Sequence, residues 1–190
     1  MNISEYTTLV FDCDGVVLDS NQIKTEAFRT AAQPYGEAAA EALVAHHVAN
    51  GGISRYAKFA YFIDRILPNH APEQSEPAIE QMLETFAAEV RTGMAHCAVA
   101  EGLDALRKAT PDARWLIVSG GDQWELREVF TARGLAHYFD GGIFGSPDTK
   151  DEILARQIAG KNIVKPALFL GDSKLDHQVA ERQDLDFIFV

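Results

Sequence analysis

Short apolar segments alternate with helical segments from residue 102 onward, and this alternation restricts the fold more than any other feature of the sequence. The apolar segments, such as ARWLIVSG and PALFLGD, have the length and apolar character of buried strands. Alternating strands and helices predict a parallel sheet covered by helices on both faces. The predicted strands are residues 7–11, 113–120, 141–145, 166–172 and 186–190, and the predicted helices after residue 101 are 102–109, 122–134, 148–160 and 173–183.

The segment between the first two predicted strands is helical throughout. Apolar residues recur there at helical spacing, and runs of β-branched residues are absent. Because the first strand precedes this segment, we predict an α/β domain of residues 1–19 and 96–190 with an inserted all-α domain of residues 20–95. The four predicted helices of the insertion are residues 22–33, 36–50, 54–67 and 78–91, separated by Pro34, Asn50-Gly51-Gly52 and Pro68, with Gly93 after the last.

Polar residues of the kinds that bind ligands or catalyse reactions follow each of the first four predicted strands. Open α/β sheets bind ligands beyond the carboxyl ends of their strands, so these residues are expected to converge. They are Asp12 and Asp14 after the first strand, Ser119 and Gly120 after the second, Lys150 after the third, and Asp172 and Asp176 after the fourth.

Carboxylates this crowded require a cation, and oxygen ligands without histidine suit Mg²⁺. One carboxylate can attack phosphorus to form an aspartyl-phosphate. A second can protonate the leaving oxygen and then remove a proton from water. A lysine and a hydroxyl can neutralise the transferring phosphoryl group. The pattern therefore predicts phosphoryl transfer on a small phosphorylated metabolite.

The charge, the cysteine content and the amino-terminal sequence limit the partners and the cellular location that we expect. A net charge of −11 disfavours nucleic acid as a partner, because the phosphate backbone would be repelled. Two cysteines, Cys13 and Cys97, are too few for a disulfide framework. The amino-terminal residues have no signal-peptide pattern, and no apolar run approaches membrane-spanning length. We therefore expect a cytoplasmic protein without a membrane partner; the oligomeric state is left open.

The motifs at the strand ends resemble those of the haloacid dehalogenase superfamily of phosphotransferases. DCDGV matches the first motif, the serine of IVSG the second, Lys150 the third and GDSKLD the fourth, in the family's order. The resemblance implies a Rossmann-like sheet of order 5-4-1-2-3. It implies that Asp12 is the nucleophile and Asp14 the general acid/base. The implied Mg²⁺ ligands are Asp12, the carbonyl of Asp14 and Asp172, and the implied phosphate-binding residues are Ser119, Gly120 and Lys150.

The helical insertion resembles the C1-type cap of the β-phosphoglucomutase-like members. GGISRYAKF is similar to their Gly-x-Ser-Arg stretch, which implies that Arg55 faces the substrate and binds a second anionic group. Lys24 stands about where those mutases have a histidine, and it is predicted to contact substrate. Since that histidine is tied to mutase action, the resemblance implies a phosphatase for a phosphosugar or related acid. A phosphosugar mutase and a non-catalytic binding protein are the alternatives.

Several of these residues also have purely structural interpretations. Ser173-x-x-Asp176 forms a capping box, so Asp176 either belongs to the metal site or only caps a helix. Lys24, Arg55 and Lys58 could be solvated helix residues, and Lys58 is predicted to be one. The histidines His46, His47 and His177 lack metal-ligand spacing and are predicted to be structural.

Overall fold

A five-stranded parallel sheet forms the centre of the protein in the computed structural model, which describes residues 2–73 and 78–190. The strand order is β3-β2-β1-β4-β5, with every neighbouring pair parallel. Both the parallel sheet and its predicted order are confirmed. The strands are β1 (Thr8–Phe11), β2 (Arg114–Asp122), β3 (Gly142–Ser146), β4 (Ala167–Gly171) and β5 (Asp186–Phe189).

The central strand β1 is buried on both faces, and this explains its continuous apolar sequence. Leu9 and Phe11 pack on one face, where Phe11 contacts the ring of Trp115 with centroids 4.7 Å apart. Val10 points to the opposite face and packs beneath helices that follow β3 and β4. Successive residues therefore anchor opposite layers, which holds the end of β1 in a fixed position.

Among residues 2–73 and 78–190, nine α-helices cover the sheet or form the inserted segment. The inserted segment carries α1 (Asn21–Ala32), α2 (Glu37–Ala49), α3 (Arg55–Tyr61), α4 (Leu67–His70) and α5 (Ile79–Met94). The α/β part carries α6 (Leu103–Ala109), α7 (Gln123–Ala132), α8 (Lys150–Ala159) and α9 (Lys174–Arg182). The predicted insertion, residues 20–95, includes residues 74–77, which lie outside the described residues.

The inserted helices differ from the predicted pattern at two breaks. The predicted helix 54–67 instead runs from α3 through a π-helical turn at Phe62–Ile66 into α4, with Pro68 in the first turn of α4. A proline there breaks no helical hydrogen bond. Gly93 lies inside α5 and does not end it. The glycine allows α5 to pack closely on α1, since a Cβ there would lie 2.4 Å from Cγ2 of Ile23. None of the helices among residues 2–73 and 78–190 is both long and apolar enough to cross a membrane.

Candidate active site

The residues predicted from the strand ends are brought together at the carboxyl edge of the sheet. Asp12 directly follows β1 and is buried, and its Oδ1 lies 2.9 Å from Nζ of Lys150 at the start of α8. The same ammonium donates a hydrogen bond to Oδ1 of Asp176 on α9. Lys150 thus joins two buried carboxylates that come from different strand–helix connections.

Three carboxylates at this edge are spaced to share a cation. One oxygen each of Asp12, Asp172 and Asp176 lies within 4.8 Å of the others. Oδ1 of Asp12 is buried and receives no hydrogen bond of normal geometry, despite its contact with Lys150. An all-oxygen donor set with an incompletely satisfied buried oxygen fits Mg²⁺.

Asp176 also performs the structural role that its sequence pattern predicts. Its Oδ2 accepts hydrogen bonds from the backbone N–H and the hydroxyl of Ser173, at 3.1 and 2.6 Å. Ser173 Oγ in turn accepts from the N–H of Asp176, which completes a capping box. Because its two oxygens have different partners, Asp176 can cap α9 with one and border the carboxylate cluster with the other. The two interpretations of Asp176 are geometrically compatible.

The electrostatics of Asp12 and Lys150 are strongly coupled. Burial raises the pKa of Asp12 to about 7, and the charges of Asp176 and Asp14 add to the rise, while Lys150 opposes it. Burial alone would lower the pKa of Lys150, but its two carboxylate partners outweigh burial and raise it. Lys150 therefore remains charged. Its charge offsets only part of the cost of ionising the buried Asp12.

Asp14 lies beside Asp12 but has different partners. Its carboxylate forms an ion pair with Lys24 of α1 and accepts a hydrogen bond from Ser20 Oγ at 2.6 Å. Burial by itself raises the pKa of Asp14, but the Lys24 ammonium and these hydrogen bonds outweigh it, so the pKa is lowered. Lys24, which was predicted to contact substrate, is therefore paired with the predicted acid/base, Asp14.

Ser119 and Gly120 occupy the end of β2, where the ladder to β3 is irregular. Ser119 is fully buried, and its Oγ accepts a hydrogen bond from the N–H of Gly121 at 3.0 Å. Gly120 touches the inserted segment: a Cβ there would lie 2.2 Å from the carbonyl oxygen of Gly52. Only glycine permits this close approach, which brings the inserted helices directly onto the strand ends.

A cavity of about 640 Å³ separates the strand ends from the inserted helices. Asp12, Asp14, Asp172 and Gly120 line it from the sheet, together with Lys24 and Arg55 from the helices. Among the predicted site residues, Ser119, Lys150 and Asp176 lie behind this surface. The predicted residues thus form one site of two layers, with a buried cluster supporting the groups that line the cavity.

Arg55 is buried, and it is paired within the protein. Its guanidinium forms an ion pair and two hydrogen bonds with the carboxylate of Glu125 on α7. Glu125 lies three residues after Asp122, the N-cap of α7. The side chain of Asp122 accepts hydrogen bonds from the N–H groups of Trp124 and Glu125, while the side chain of Glu125 is engaged with Arg55. The solvated alternative for Arg55 is wrong. Its charge links α3 to α7 across the cavity, so it is partly neutralised before any substrate binds.

Lys58 was predicted to be solvated, and that prediction is wrong. The residue is only 2% exposed and lines the cavity. Its ammonium lies 2.7 Å from Nδ1 of His47 and 5.4 Å from the centroid of the Phe28 ring. Burial, with a contribution from the charge of Lys24, lowers the pKa of Lys58 to about 7. The pKa of His47 falls to about 3, chiefly through burial.

A signal for Lys58 was present in the sequence. Arg55, Lys58, Phe59, Phe62 and Ile66 follow the i, i+3, i+4, i+7 pattern of one helical face, and all five are buried. The two basic residues therefore belong to the apolar stripe. Helical periodicity indicates their burial, but it gives no sign of His47 or Glu125 as partners, since these come from other helices.

Comparisons with known proteins agree with this geometry. The family model described as haloacid dehalogenase-like hydrolase matches residues 6–182, which is most of the chain. No curated protein matches the sequence. The structural neighbours include a predicted phosphoglycolate phosphatase from Haemophilus somnus, with TM-score 0.75 and 16% identity, covering 96% of this chain and 84% of that one.

Two further solved structures have the same fold. A predicted phosphatase from Clostridium acetobutylicum has TM-score 0.71 and 18% identity, covering 97% of this chain and 84% of that one. A haloacid dehalogenase-superfamily hydrolase of subfamily IA from Geobacter sulfurreducens has TM-score 0.61 and 18% identity, covering 95% and 87%. At these identities the likeness establishes the α/β fold.

Proposed function

The chain belongs to the haloacid dehalogenase-like hydrolase family, and on that premise we propose that it hydrolyses a small phosphate monoester through an aspartyl-phosphate on Asp12. The single observation that carries the proposal is the buried Asp12–Lys150 contact beside Asp172 and Asp176. Attack on phosphorus needs a fixed carboxylate surrounded by groups that tolerate a second negative charge. The other strand ends supply these groups.

We propose two chemical steps for the two aspartates. An Asp12 oxygen forms a bond to phosphorus as the phosphorus–oxygen ester bond breaks, and the departing alkoxide takes a proton from Asp14. Asp14 then removes a proton from water, which attacks phosphorus, releases inorganic phosphate and restores Asp12. Lys24 favours the ionised form of Asp14, which the second step requires, whereas the first step draws on the protonated form.

We propose that Asp12 and Asp172 hold Mg²⁺, since their carboxylates cluster with that of Asp176, and the family resemblance adds the carbonyl of Asp14. When bound, Mg²⁺ would supply positive charge that lowers the cost of ionising Asp12 and shields the phosphoryl oxygens. Lys150 holds Asp12 in place from the protein side. Ser119 Oγ accepts a hydrogen bond from the N–H of Gly121 and so fixes the backbone at the end of β2, which leaves the N–H of Gly120 as the candidate to bind the phosphoryl group.

The inserted segment, residues 20–95, is proposed to serve as a cap that selects the substrate and excludes water from the cavity. Gly52 packs on Gly120, and Arg55 pairs with Glu125, so the segment meets the α/β part at two places around the cavity. The name of the Haemophilus somnus neighbour makes 2-phosphoglycolate a reasonable first substrate to test. A phosphosugar mutase would return the phosphoryl group to a sugar instead of water.

The decisive test replaces the proposed nucleophile. We expect Asp12→Asn to lower Mg²⁺-dependent hydrolysis of para-nitrophenyl phosphate by at least about 10³-fold, because an amide cannot form the acyl-phosphate. Asp19→Asn is the matched control, since Asp19 is exposed and lies seven residues away in the same segment. Substantial Mg²⁺-dependent turnover by Asp12→Asn would contradict the proposal. Product analysis with sugar phosphates separates the two activities: isomer formation without phosphate release indicates a mutase.

A further inference from the structure

Three basic side chains line the cavity from the inserted helices, and they differ in how their charges are compensated. Lys24 is paired with Asp14, and Arg55 with Glu125. Within residues 2–73 and 78–190, Lys58 forms no ion pair with a carboxylate. Its hydrogen-bond partner is Nδ1 of His47. Of the three, Lys58 is the one whose positive charge has no carboxylate partner among the described residues.

The surroundings of Lys58 hold the ammonium in place without neutralising it. His47 comes from α2 and Phe28 from α1, so two helices fix the side chain of a third. Phe28 also packs against His47, with ring centroids 4.6 Å apart, which restrains the imidazole that accepts the hydrogen bond. A buried ammonium without a counter-ion is costly, and a protein that retains one commonly uses it.

The location of Lys58 indicates what it can reach. It lines the same cavity as Asp12 and Asp14, but from the helical wall, whereas the phosphoryl-transfer groups lie on the sheet wall. The charges of Asp14, Lys24 and Lys150 are near enough to influence its titration. A substrate whose phosphate contacts Asp12 would extend its alcohol portion toward the helices. Lys58 therefore faces the part of the substrate that leaves.

We propose that Lys58, positioned by His47, binds a second anionic group on the leaving alcohol, so that the preferred substrates are phosphate monoesters carrying a carboxylate or a second phosphate. This inference rests on the proposed phosphatase function. It moves the recognition of the second anion from Arg55, where the sequence resemblance placed it, to Lys58. Arg55 instead holds α3 against α7 through Glu125.

The first experiment compares matched substrates on the wild-type protein with Mg²⁺. 2-Phosphoglycolate carries a carboxylate, ethane-1,2-diyl bisphosphate a second phosphate, and 2-hydroxyethyl phosphate has a neutral hydroxyl at the same place. We expect kcat/KM to be about 10- to 100-fold higher for at least one of the two charged esters, since a charge-assisted hydrogen bond is gained. Whichever ester is favoured identifies the anion. Equal values for all three would overturn the inference.

The second experiment assigns this preference to one side chain. Lys58→Met should lower the preference for the charged ester, measured as the ratio of its kcat/KM to that of 2-hydroxyethyl phosphate, by about 10- to 100-fold through a higher KM for the charged ester. Lys58→Gln is the second variant, and Lys108→Met, an exposed lysine on α6, is the matched control. A purely structural role would affect the esters alike. Equal loss for charged and neutral esters, or no loss for either, would overturn the assignment.

Failure of the phosphatase proposal gives a different result. In that case the wild-type protein releases no phosphate from any of the esters. Calorimetric titration of the Asp12→Asn protein with 2-phosphoglycolate, the bisphosphate and 2-hydroxyethyl phosphate then measures binding without turnover. Tighter binding of a charged ester that is lost in the Asp12→Asn/Lys58→Met protein supports the inference, and equal binding of all three overturns it.

Discussion

The two walls of the cavity each bury a lysine, and they treat its charge in opposite ways. On the sheet wall, Lys150 contacts the carboxylates of Asp12 and Asp176, and its pKa is raised. On the helical wall, Lys58 has a neutral imidazole as its partner, and burial lowers its pKa to about 7. One lysine is part of a preorganised ionic network, whereas the other is an uncompensated charge.

This difference matches the tasks that we propose for the two walls. The groups that transfer a phosphoryl group must be fixed before substrate arrives, because stabilisation of the transition state depends on preorganisation. A residue that recognises an anion must keep its charge available, and this costs stability in the free protein. The same substitution at the two lysines should therefore have opposite effects on stability.

The largest combined effect on activity and stability is expected from Lys150→Met. The substitution leaves Asp12 and Asp176 buried without their shared cation, which should cost about 3 kcal/mol of unfolding free energy. It should also lower kcat by about 10²- to 10³-fold, since charge stabilisation at phosphorus is lost. Urea denaturation and phosphate-release assays measure the two effects. Lys165→Met, an exposed lysine paired with Asp184, is the control and should change stability by less than about 1 kcal/mol.

Lys58→Met should instead stabilise the protein, by roughly 2–4 kcal/mol at pH 7, because it removes the cost of a buried, unpaired ammonium. A lysine whose pKa is lowered on folding binds its proton more weakly in the folded state than in the unfolded chain. The penalty is thus present below about pH 7 and fades as the pH rises toward the ordinary value of 10.5.

The corresponding measurement is thermal unfolding of the wild-type protein and the Lys58→Met protein at pH 7 and pH 9. The difference in stability between the variant and the wild type should be smaller at pH 9. At that pH the cost of removing the proton from Lys58 on folding is lower. A variant that is less stable than the wild type at both pH values would mean that Lys58 has a compensating partner. The contrast between the two walls would then fail.

The walls also differ in how well the sequence predicts them. The strands, their order and the convergence of Asp12, Lys150 and Asp172 follow from hydrophobic patterning, the strand-end rule and the motif resemblance. Each of these residues stands a fixed few positions from a strand, so its location depends on local sequence. The contact of Lys150 with Asp176 joins the ends of β3 and β4, which β2 and β1 separate in the sheet, so it also depends on the packing of α8 and α9 on the same face.

On the helical wall the decisive contacts join residues distant in sequence. The pairs Arg55–Glu125 and Lys58–His47 connect different helices, and their formation depends on how those helices pack. Periodicity indicates that Arg55 and Lys58 are buried, but it does not say which of them is neutralised. The resemblance to the Gly-x-Ser-Arg stretch predicts Arg55 as the anion-binding residue, and that stretch gives no sign that Glu125 pairs with it.

The Arg55–Glu125 pair gives the smallest effect and the sharpest test of the helical wall. A double-mutant cycle with Arg55→Met, Glu125→Gln and both together should give a coupling energy of about 1–2 kcal/mol in stability, because the guanidinium is buried and the carboxylate partly so. If Arg55 serves only to hold α3 against α7, the single variants should raise KM for charged and neutral esters to a similar extent. A selective loss for the charged ester in Arg55→Met would return anion recognition to Arg55. In that case both buried basic residues of α3 would share the role that we assign to Lys58.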